Sequence, residues 1–239
     1  MVSRTRIFGR CDGNVQYLAY EMTLAADRET AMVLPLPCSV PVRDTGAAFL
    51  DLSDYPELFE NLEMCFPVRF DRSFGGATLA APLPVVNVGA FEASFVPRAG
   101  DFSRLDPRFR IPPAALEAFH EYADYGFAVF KLRPGESRVH PMGLSFETRF
   151  PDRIFFPTVH VHHGVVPDLE LFDHTLFAQG RTNDTLWHPA EISVREFFSA
   201  KDCRESGRTR GLVSRGAPLY RRRIVGMQNN EDTWCLRAA

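Results

Sequence analysis

The sequence predicts a mainly β fold, a strand-rich α+β protein built as an antiparallel sandwich or partly closed barrel with about three short peripheral helices. The 239 residues include 21 phenylalanines and 18 prolines, and many short strands joined by proline-containing turns accommodate both residue types. Apolar and polar residues alternate in several runs, as they do in half-buried strands. These runs follow one another without regular β-α-β alternation, which favours an antiparallel sheet over a Rossmann-like fold.

Length, and the absence of a linker or an internal repeat, favour one domain over residues 1–239. Within it the sequence predicts an N-terminal hairpin over about 14–37, in which VQYLAYEMTLAA pairs with TAMVLPLP. A histidine-bearing core over about 126–180 contains the strand patterns FAVFKL and HPMGLSFETRF. A basic loop and closing strands occupy about 201–237, where PLYRRRIVGM and TWCLR flank a turn at Asn229 and Asn230.

Three segments have helix signals. Asp54-x-x-Glu57 opens SDYPELFENLEMCF, with Pro56 in its first turn. Pro112 and Pro113 precede AALEAFHEYADYG, and Ser193-x-x-Glu196 forms a capping box for VREFFSAKD. Each helix places its apolar residues on one side, as expected for a helix that packs at the border of a sheet.

Composition and charge limit the class of protein. A hydrophobic content of 45% and a charged content of 24% are ordinary for a soluble globular chain. The five cysteines are scattered without a C-x-x-C pair, which indicates reduced thiols. The N-terminus lacks the apolar segment of a signal peptide, and no run approaches the ~20 apolar residues of a membrane helix. We therefore expect a cytoplasmic protein that does not contact a membrane.

Histidines provide the strongest functional signal. Five of the seven lie between His140 and His174. In the strand pattern IFFPTVHVHH, His160 and His162 project to one face because alternate residues of a strand share a face. If the chain reverses through 164–168, the strand ELFDHTLFAQ runs antiparallel beside it and brings His174 next to His160.

This arrangement predicts a divalent transition metal, zinc before copper or iron, because neutral imidazole nitrogen is a good ligand for such ions. His160, His162 and His174 are the predicted ligands, with His140 or Glu147 as the fourth, and Asp173 and His163 as groups that orient them. The function would be metal-assisted hydrolysis or related small-molecule chemistry. The alternative is that these are ordinary core or surface histidines in a non-enzymatic β-sandwich that acts as a binding or assembly module.

Local resemblances accompany this motif. The run TVHVHHG resembles the H-V-H strand of Cu/Zn superoxide dismutases, and its H-x-H with the later Glu170 and His174 resembles the ligand pattern of cupins. H-x-H also occurs in amidohydrolases, but the 77 residues after His162 are too few for their barrel. Each resemblance covers fewer than about fifteen residues, a span in which motifs match by chance, so no family is assigned.

A basic segment, 201–223, carries eight basic and two acidic residues. Arg208, Arg210 and Arg215 are its candidate anion-binding residues, and the alternative is that carboxylates elsewhere in the chain pair with them. A net charge of −3 and few neighbouring aromatics disfavour nucleic acid as the partner. No glycine-rich phosphate loop occurs, so no nucleotide cofactor is expected. A small molecule and a protein both stay open as partners, and the oligomeric state is not predicted.

Overall fold

A computed structural model describes residues 2–26, 30–66, 92–106, 120–132, 135–161, 165–200 and 207–238. The prediction of a mainly β fold with short helices is confirmed. The strands in chain order are β1 Val2–Asp12, β2 Val15–Ala26, β3 Thr30–Leu36, β4 Ala47–Leu50, β5 Glu92–Val96, β6 Gly126–Leu132, β7 Gly135–Glu147, β8 Arg153–Phe156, β9 Leu169–Gln179, β10 His188–Pro189, β11 Leu219–Asn229 and β12 Thr233–Leu236.

Seven strands form the largest sheet, in the order β10-β11-β9-β1-β2-β7-β4. Its pairs are antiparallel except β1 with β9, where Thr5 lies beside His174 and the two strands run parallel. β1 has no clear alternation in the sequence, because both of its faces are covered. Ile7 and Phe8 point to opposite faces, and both are fully buried.

Smaller sheets cover one face of the large sheet. β3, β6 and β5 form a three-stranded sheet, and β12 pairs with β8. Leucines and phenylalanines from these strands pack with Ile7, Leu18 and Leu176 of the large sheet in one continuous core. On the opposite face a second core forms where helix α1 (Leu58–Glu63) packs Leu58 and Phe59 against the large sheet. The smaller sheets therefore lie on one side of the seven strands and α1 on the other, and a 3-10 helix, Ala99–Arg104, packs Phe102 against Phe127 of the three-stranded sheet.

The predicted N-terminal hairpin of residues 14–37 is not formed. Both strands exist, but β2 pairs with β1 and β7, whereas β3 pairs with β6 in the smaller sheet. The predicted hairpin of the two histidine-bearing strands is also wrong. β8 ends at Phe156 and pairs with β12, and β9 lies between β1 and β11. Both predictions paired strands that follow each other in the sequence. In this fold many paired strands are far apart in the sequence, such as β1 with β9 and β12 with β8.

Two of the predicted helices are formed, and a 3-10 helix, His120–Tyr122, lies in the described part of the third. α1 occupies the middle of the first helical segment, and α2 (Val194–Ala200) follows the predicted capping box. The Glu196 amide donates to Ser193 Oγ at 3.1 Å, and the Ser193 amide donates to Glu196 Oε2 at 3.1 Å. The helix expected after Pro112 lies mostly outside the described residues. None of the helices in the described ranges is long and apolar enough to cross a membrane.

Replacing Ser193 with alanine is expected to lower the free energy of unfolding by about 1 kcal/mol, because the Glu196 amide then loses its acceptor at the start of α2. Urea denaturation of the purified variant measures the effect. Ser193→Thr, which keeps the hydroxyl, is the matched control and should retain most of the stability. Equal losses in the two variants would contradict the role of the capping hydroxyl.

Candidate functional site

β9 places His174 inside the protein. Alternate residues of a strand share a face, so His174 points the same way as Phe172 and Leu176, towards the core between the sheets. The side chain of His174 is only 2% exposed. Its Nδ1 has no hydrogen-bond partner among the described residues. An imidazole in this position is held neutral, because burial and the neighbouring His160 lower the pKa of His174 to about 3.

His160 reaches the same place from the segment that follows β8. Asn230, just after β11, holds the backbone of His160 at both ends: the His160 amide donates to Asn230 Oδ1 at 2.8 Å, and Asn230 Nδ2 donates to the His160 carbonyl at 2.8 Å. This side-chain amide acts in place of a neighbouring strand. It fixes the segment 157–161 across the ends of β9 and β11 although that segment is not itself a strand.

The two imidazoles meet directly. His160 Nε2 and His174 Nε2 are 3.0 Å apart, and the ring of Phe172 lies 4.9 Å from one imidazole and 5.0 Å from the other, centre to centre. One ring must donate and the other accept, so the acceptor nitrogen carries no proton. We call His160 and His174 the histidine pair. At this distance the two facing nitrogens can share one proton. Protonation of both rings is opposed, because two imidazolium groups would repel each other.

The carboxyl group of Asp232 binds the same segment at Thr158 and Val159, just before His160. Asp232 Oδ1 accepts hydrogen bonds from the amides of Thr158 at 2.9 Å and Val159 at 3.2 Å, and the Tyr122 hydroxyl donates to Asp232 Oδ2 at 2.7 Å. Burial raises the pKa of Asp232 to about 6, although these three hydrogen bonds act in the opposite direction. Burial and the nearby Asp232 also raise the pKa of Tyr122. Asp232 is therefore a carboxyl group that changes charge near neutral pH.

The other predicted metal ligands lie elsewhere. His140 is in β7, which is three strands from β9 across β1 and β2, or roughly 14 Å at the usual spacing of strands. Burial lowers the pKa of His140, and its Nδ1 lies 3.2 Å from the Pro141 carbonyl. Glu147 is exposed at the far end of β7, opposite Val15. Neither residue approaches the histidine pair.

Asp173 follows the same rule of alternation that buries His174. It projects from the opposite face of β9, where it is exposed and its Oδ2 accepts a hydrogen bond from the Arg4 amide at 3.1 Å. It therefore does not orient either imidazole. His162 and His163 lie outside the described residues. Of the predicted ligand set, the structure brings together His160 and His174.

The metal-dependent function predicted from the sequence is overturned. Within the described ranges, no group of three histidine, cysteine, aspartate or glutamate side chains could hold a metal ion. The physical reason is topological. β1 and β2 separate β9 from β7, so the carboxylate and imidazole that would complete the site are held on distant strands.

The candidate anion-binding arginines meet acceptors of the chain itself. Arg208 lies 3.5 Å from Glu57 and donates to the Asp54 carbonyl, and Arg210 lies 3.6 Å from the Asp54 carboxylate. Arg221 and Arg223, further along the basic segment, approach Glu63 of α1 at 2.6 Å and 3.8 Å. Arg215 is exposed in the loop before β11. Arg208 and Arg210 are therefore paired with carboxylates of the same chain, which is the alternative to an anion-binding role.

Two buried glutamines hold backbone segments and were missed by the sequence reasoning. Gln16 is fully buried, and its Nε2 donates to the Phe155 carbonyl at 2.7 Å while the Phe155 amide donates to Gln16 Oε1 at 3.1 Å. Gln179 is likewise fully buried, and it binds Ser214 through the same two groups at 2.6 Å and 2.8 Å. The sequence does contain a signal for both: each glutamine occupies a position of its strand where alternation would place a buried apolar residue.

The cysteines are placed as structural residues. Four of them, Cys11, Cys38, Cys65 and Cys235, are free and buried. Burial raises the pKa of Cys38 to about 12 and that of each of the other three to about 11. Because the thiolate is the reactive form, these four thiols are poor nucleophiles at neutral pH. Cys203 lies outside the described residues.

Two surface cavities do not include the histidine pair, although the lining of the first includes Asp173 and Thr175 from the opposite face of β9. One, of about 260 Å³, is lined by charged residues of β1, β2 and α1, where Arg6 contacts Glu21 and lies 2.7 Å from Glu60. The other, of about 240 Å³, lies between the loop 38–46 and Glu147. In the first cavity, Arg6 therefore already has carboxylate partners within the chain.

No family model and no curated protein matches the sequence. Solved structures do. The crystal structure of baculovirus P35 matches with a TM-score of 0.58 at 11% identity, over 100% of this chain and 97% of P35. P35 in a complex with caspase-8 gives 0.49 at 10% identity, over 98% of this chain and 96% of that one. A mutated P35 after caspase cleavage gives 0.48 at 10% identity, over 99% and 100%. The chain therefore has a fold similar to that of baculovirus P35 over its whole length.

Proposed function

We propose that this chain acts by binding a protein, and that its partner is a caspase-class protease. One observation carries the proposal: the fold is similar to that of P35 over the full length of both chains, with a TM-score of 0.58. P35 has been crystallised in a complex with caspase-8, and a mutated P35 has been crystallised after caspase cleavage. Function does not follow from fold alone, so the partner needs a direct test.

The chemistry of the described residues supports a binding role. The four described cysteines have raised pKa values, which disfavours thiol catalysis by these groups. Among the described residues of the predicted site, His160 and His174 pack on each other and on Phe172, and this contact supports a structural role for the two imidazoles. This arrangement fits the alternative raised by the sequence, a non-enzymatic β-rich binding module.

Titrating the folded chain into active caspase-8 tests the proposal. We expect the hydrolysis of a small fluorogenic peptide by the protease to fall as the chain is added and to reach a plateau near equimolar amounts. A plateau of this kind reports a tight complex rather than simple competition by a second substrate. A panel of other caspases, assayed in the same way, identifies which of them is the partner.

The matched control is the same chain after heat denaturation. A denatured chain still offers peptide bonds for cleavage but no folded surface, so it should not inhibit at equimolar amounts. Full protease activity in the presence of an excess of the folded chain, for every caspase in the panel, would contradict the proposal.

A further inference from the structure

Residues 157–161 follow β8 without belonging to a strand, and we call them the strap. β8 pairs with β12 up to Phe156, which lies opposite Thr233. Pro157 comes next, and because proline has no amide N–H, the backbone ladder loses a donor at this position. The strap therefore continues the direction of β8 but is held to the protein by other groups.

Side chains of the turn before β12 hold the strap. Asp232 accepts hydrogen bonds from the amides of Thr158 and Val159. Asn230 binds both the amide and the carbonyl of His160. The hydroxyl of Thr158 is bound by the same turn and by the first residue of β12. Opening of the strap therefore breaks these contacts but leaves the ladder between β8 and β12 intact.

The two members of the histidine pair are held in different ways. His174 lies within the large sheet, between Thr5 of β1 and Ile224 of β11. His160 is carried by the strap. Because strand pairing on both sides fixes His174, the two rings separate only when the strap moves.

Protonation acts directly on this contact. In the closed strap the two Nε2 atoms are 3.0 Å apart, and two imidazolium groups at this distance would repel each other. The Nδ1 atom of His174 has no acceptor among the described residues that would stabilise a second proton. In an open strap the rings are separate and hydrated, so each binds a proton in the ordinary range of histidine.

We propose that the strap is an acid-operated latch, which opens as one unit when the histidine pair takes up protons while the sheets stay folded. Opening uncovers Phe172, whose ring centre lies 4.9 Å from that of His160, and His174, which is 2% exposed when the strap is closed. Acid therefore creates an apolar and cationic surface that is hidden at neutral pH.

The size of the effect follows from the titration of His174. Burial and the neighbouring His160 lower the pKa of His174 from 6.5 to about 3 in the closed strap. Because the pKa is lowered in the closed form, the closed strap is fully favoured above about pH 6.5 and loses this advantage as pH falls. The equilibrium constant for opening should rise about 25-fold between pH 7 and pH 5.

Other titratable groups surround the strap. Asp232 keeps its hydrogen bond from Tyr122 when the strap opens. It loses two amide donors, which raises its pKa, and gains water, which lowers it, so these two changes oppose each other. Glu121 and Tyr125 are neighbours of Asp232, and Asp173 projects from the opposite face of β9. The histidine pair therefore determines the sign.

Hydrogen exchange followed by NMR at pH 7 and pH 5 tests the latch. The amides of Thr158, Val159 and His160 should lose about 25-fold in protection factor between these values, because a protection factor reports the opening equilibrium. The amides within 175–179 of β9, which is paired on both sides, should keep their protection.

Two variants assign the change to the histidine pair. His174→Gln keeps a polar side chain that does not titrate, and the strap should be equally protected at both pH values. His160→Gln removes the other ring and should have the same effect, so a folding defect in one variant leaves the second to decide. Asp232→Asn is the matched control, because it removes a titrating group beside the strap but keeps both imidazoles, and it should retain the pH dependence.

Protection of the strap that is the same at pH 7 and pH 5 would overturn the proposal. A loss of protection shared by residues 175–179 would also overturn it, because that pattern reports unfolding of the sheet rather than opening of the strap. So would a pH dependence that persists in the glutamine variants, since the histidine pair would then not be its source.

Discussion

His174→Gln is expected to make the protein more resistant to acid than the wild type, by about 2–3 kcal/mol of unfolding free energy between about pH 7 and pH 4.5. The pKa of His174 is about 3 when folded and 6.5 ordinarily. As pH falls below about 6.5, His174 therefore binds a proton in the unfolded chain but not in the folded one, so the free energy of unfolding decreases. Glutamine keeps a polar group beside His160 but does not titrate.

Asp232 acts in the opposite direction over the same range. The pKa of its carboxyl is about 6 when folded and 3.8 ordinarily, so the folded chain binds this proton first. The stability that it contributes is complete below about pH 3.8 and is lost as pH rises through about 6. Asp232→Asn should remove this compensation and make the variant more acid-sensitive than the wild type by about 2 kcal/mol over the same interval.

Urea denaturation of the wild type and both variants at a series of pH values measures these differences. The difference in unfolding free energy between two of these proteins at each pH cancels the contribution of the titratable groups that they share. If the pH dependence of His174→Gln follows that of the wild type, His174 is not held neutral by burial, and the account of the histidine pair is wrong.

Gln16→Met is expected to lower the free energy of unfolding by about 2–4 kcal/mol, because it leaves the amide and the carbonyl of Phe155 buried without their partner. Methionine has nearly the same length, so the loss reports hydrogen bonding more than volume. The side-chain amide of Gln16 is fully buried between β2 and β8, and it joins the seven-stranded sheet to the two-stranded sheet of β8 and β12.

Hydrogen exchange at the Phe155 amide separates this effect from general destabilisation. In the variant this proton should exchange much faster than the amides within β8 that bond to β12, provided that the measurement is made well below the unfolding midpoint. An unchanged midpoint together with a protected Phe155 amide would contradict the role assigned to Gln16.

Local patterns in the sequence were sufficient for the type of many elements, but not for the segment 157–161, which was predicted as strand and is not one. The capping box at Ser193 and Glu196 begins a helix as predicted. The proximity of His160 and His174 was also predicted correctly, although the hairpin from which it was inferred does not exist. The contact arises because Asn230 holds the segment carrying His160 across the end of β9.

Strand partners could not be predicted in the same way. β1 lies between β2 and β9, and its parallel pairing joins residues about 170 positions apart. Nothing in a local apolar pattern specifies such a partner, because backbone hydrogen bonding is the same for every strand. The error in the metal hypothesis follows directly, since it placed His140 and Glu147 beside β9 when two strands separate them.

Native mass spectrometry of the folded chain mixed with active caspase-8 tests the central claim, a protein-binding function directed at caspases, most directly. The account predicts a new species whose mass is the sum of the chain and the protease, formed at equimolar amounts and absent when the chain has been denatured. Spectra that contain only the separate chain and the separate protease, for caspase-8 and for the rest of the caspase panel, would contradict it.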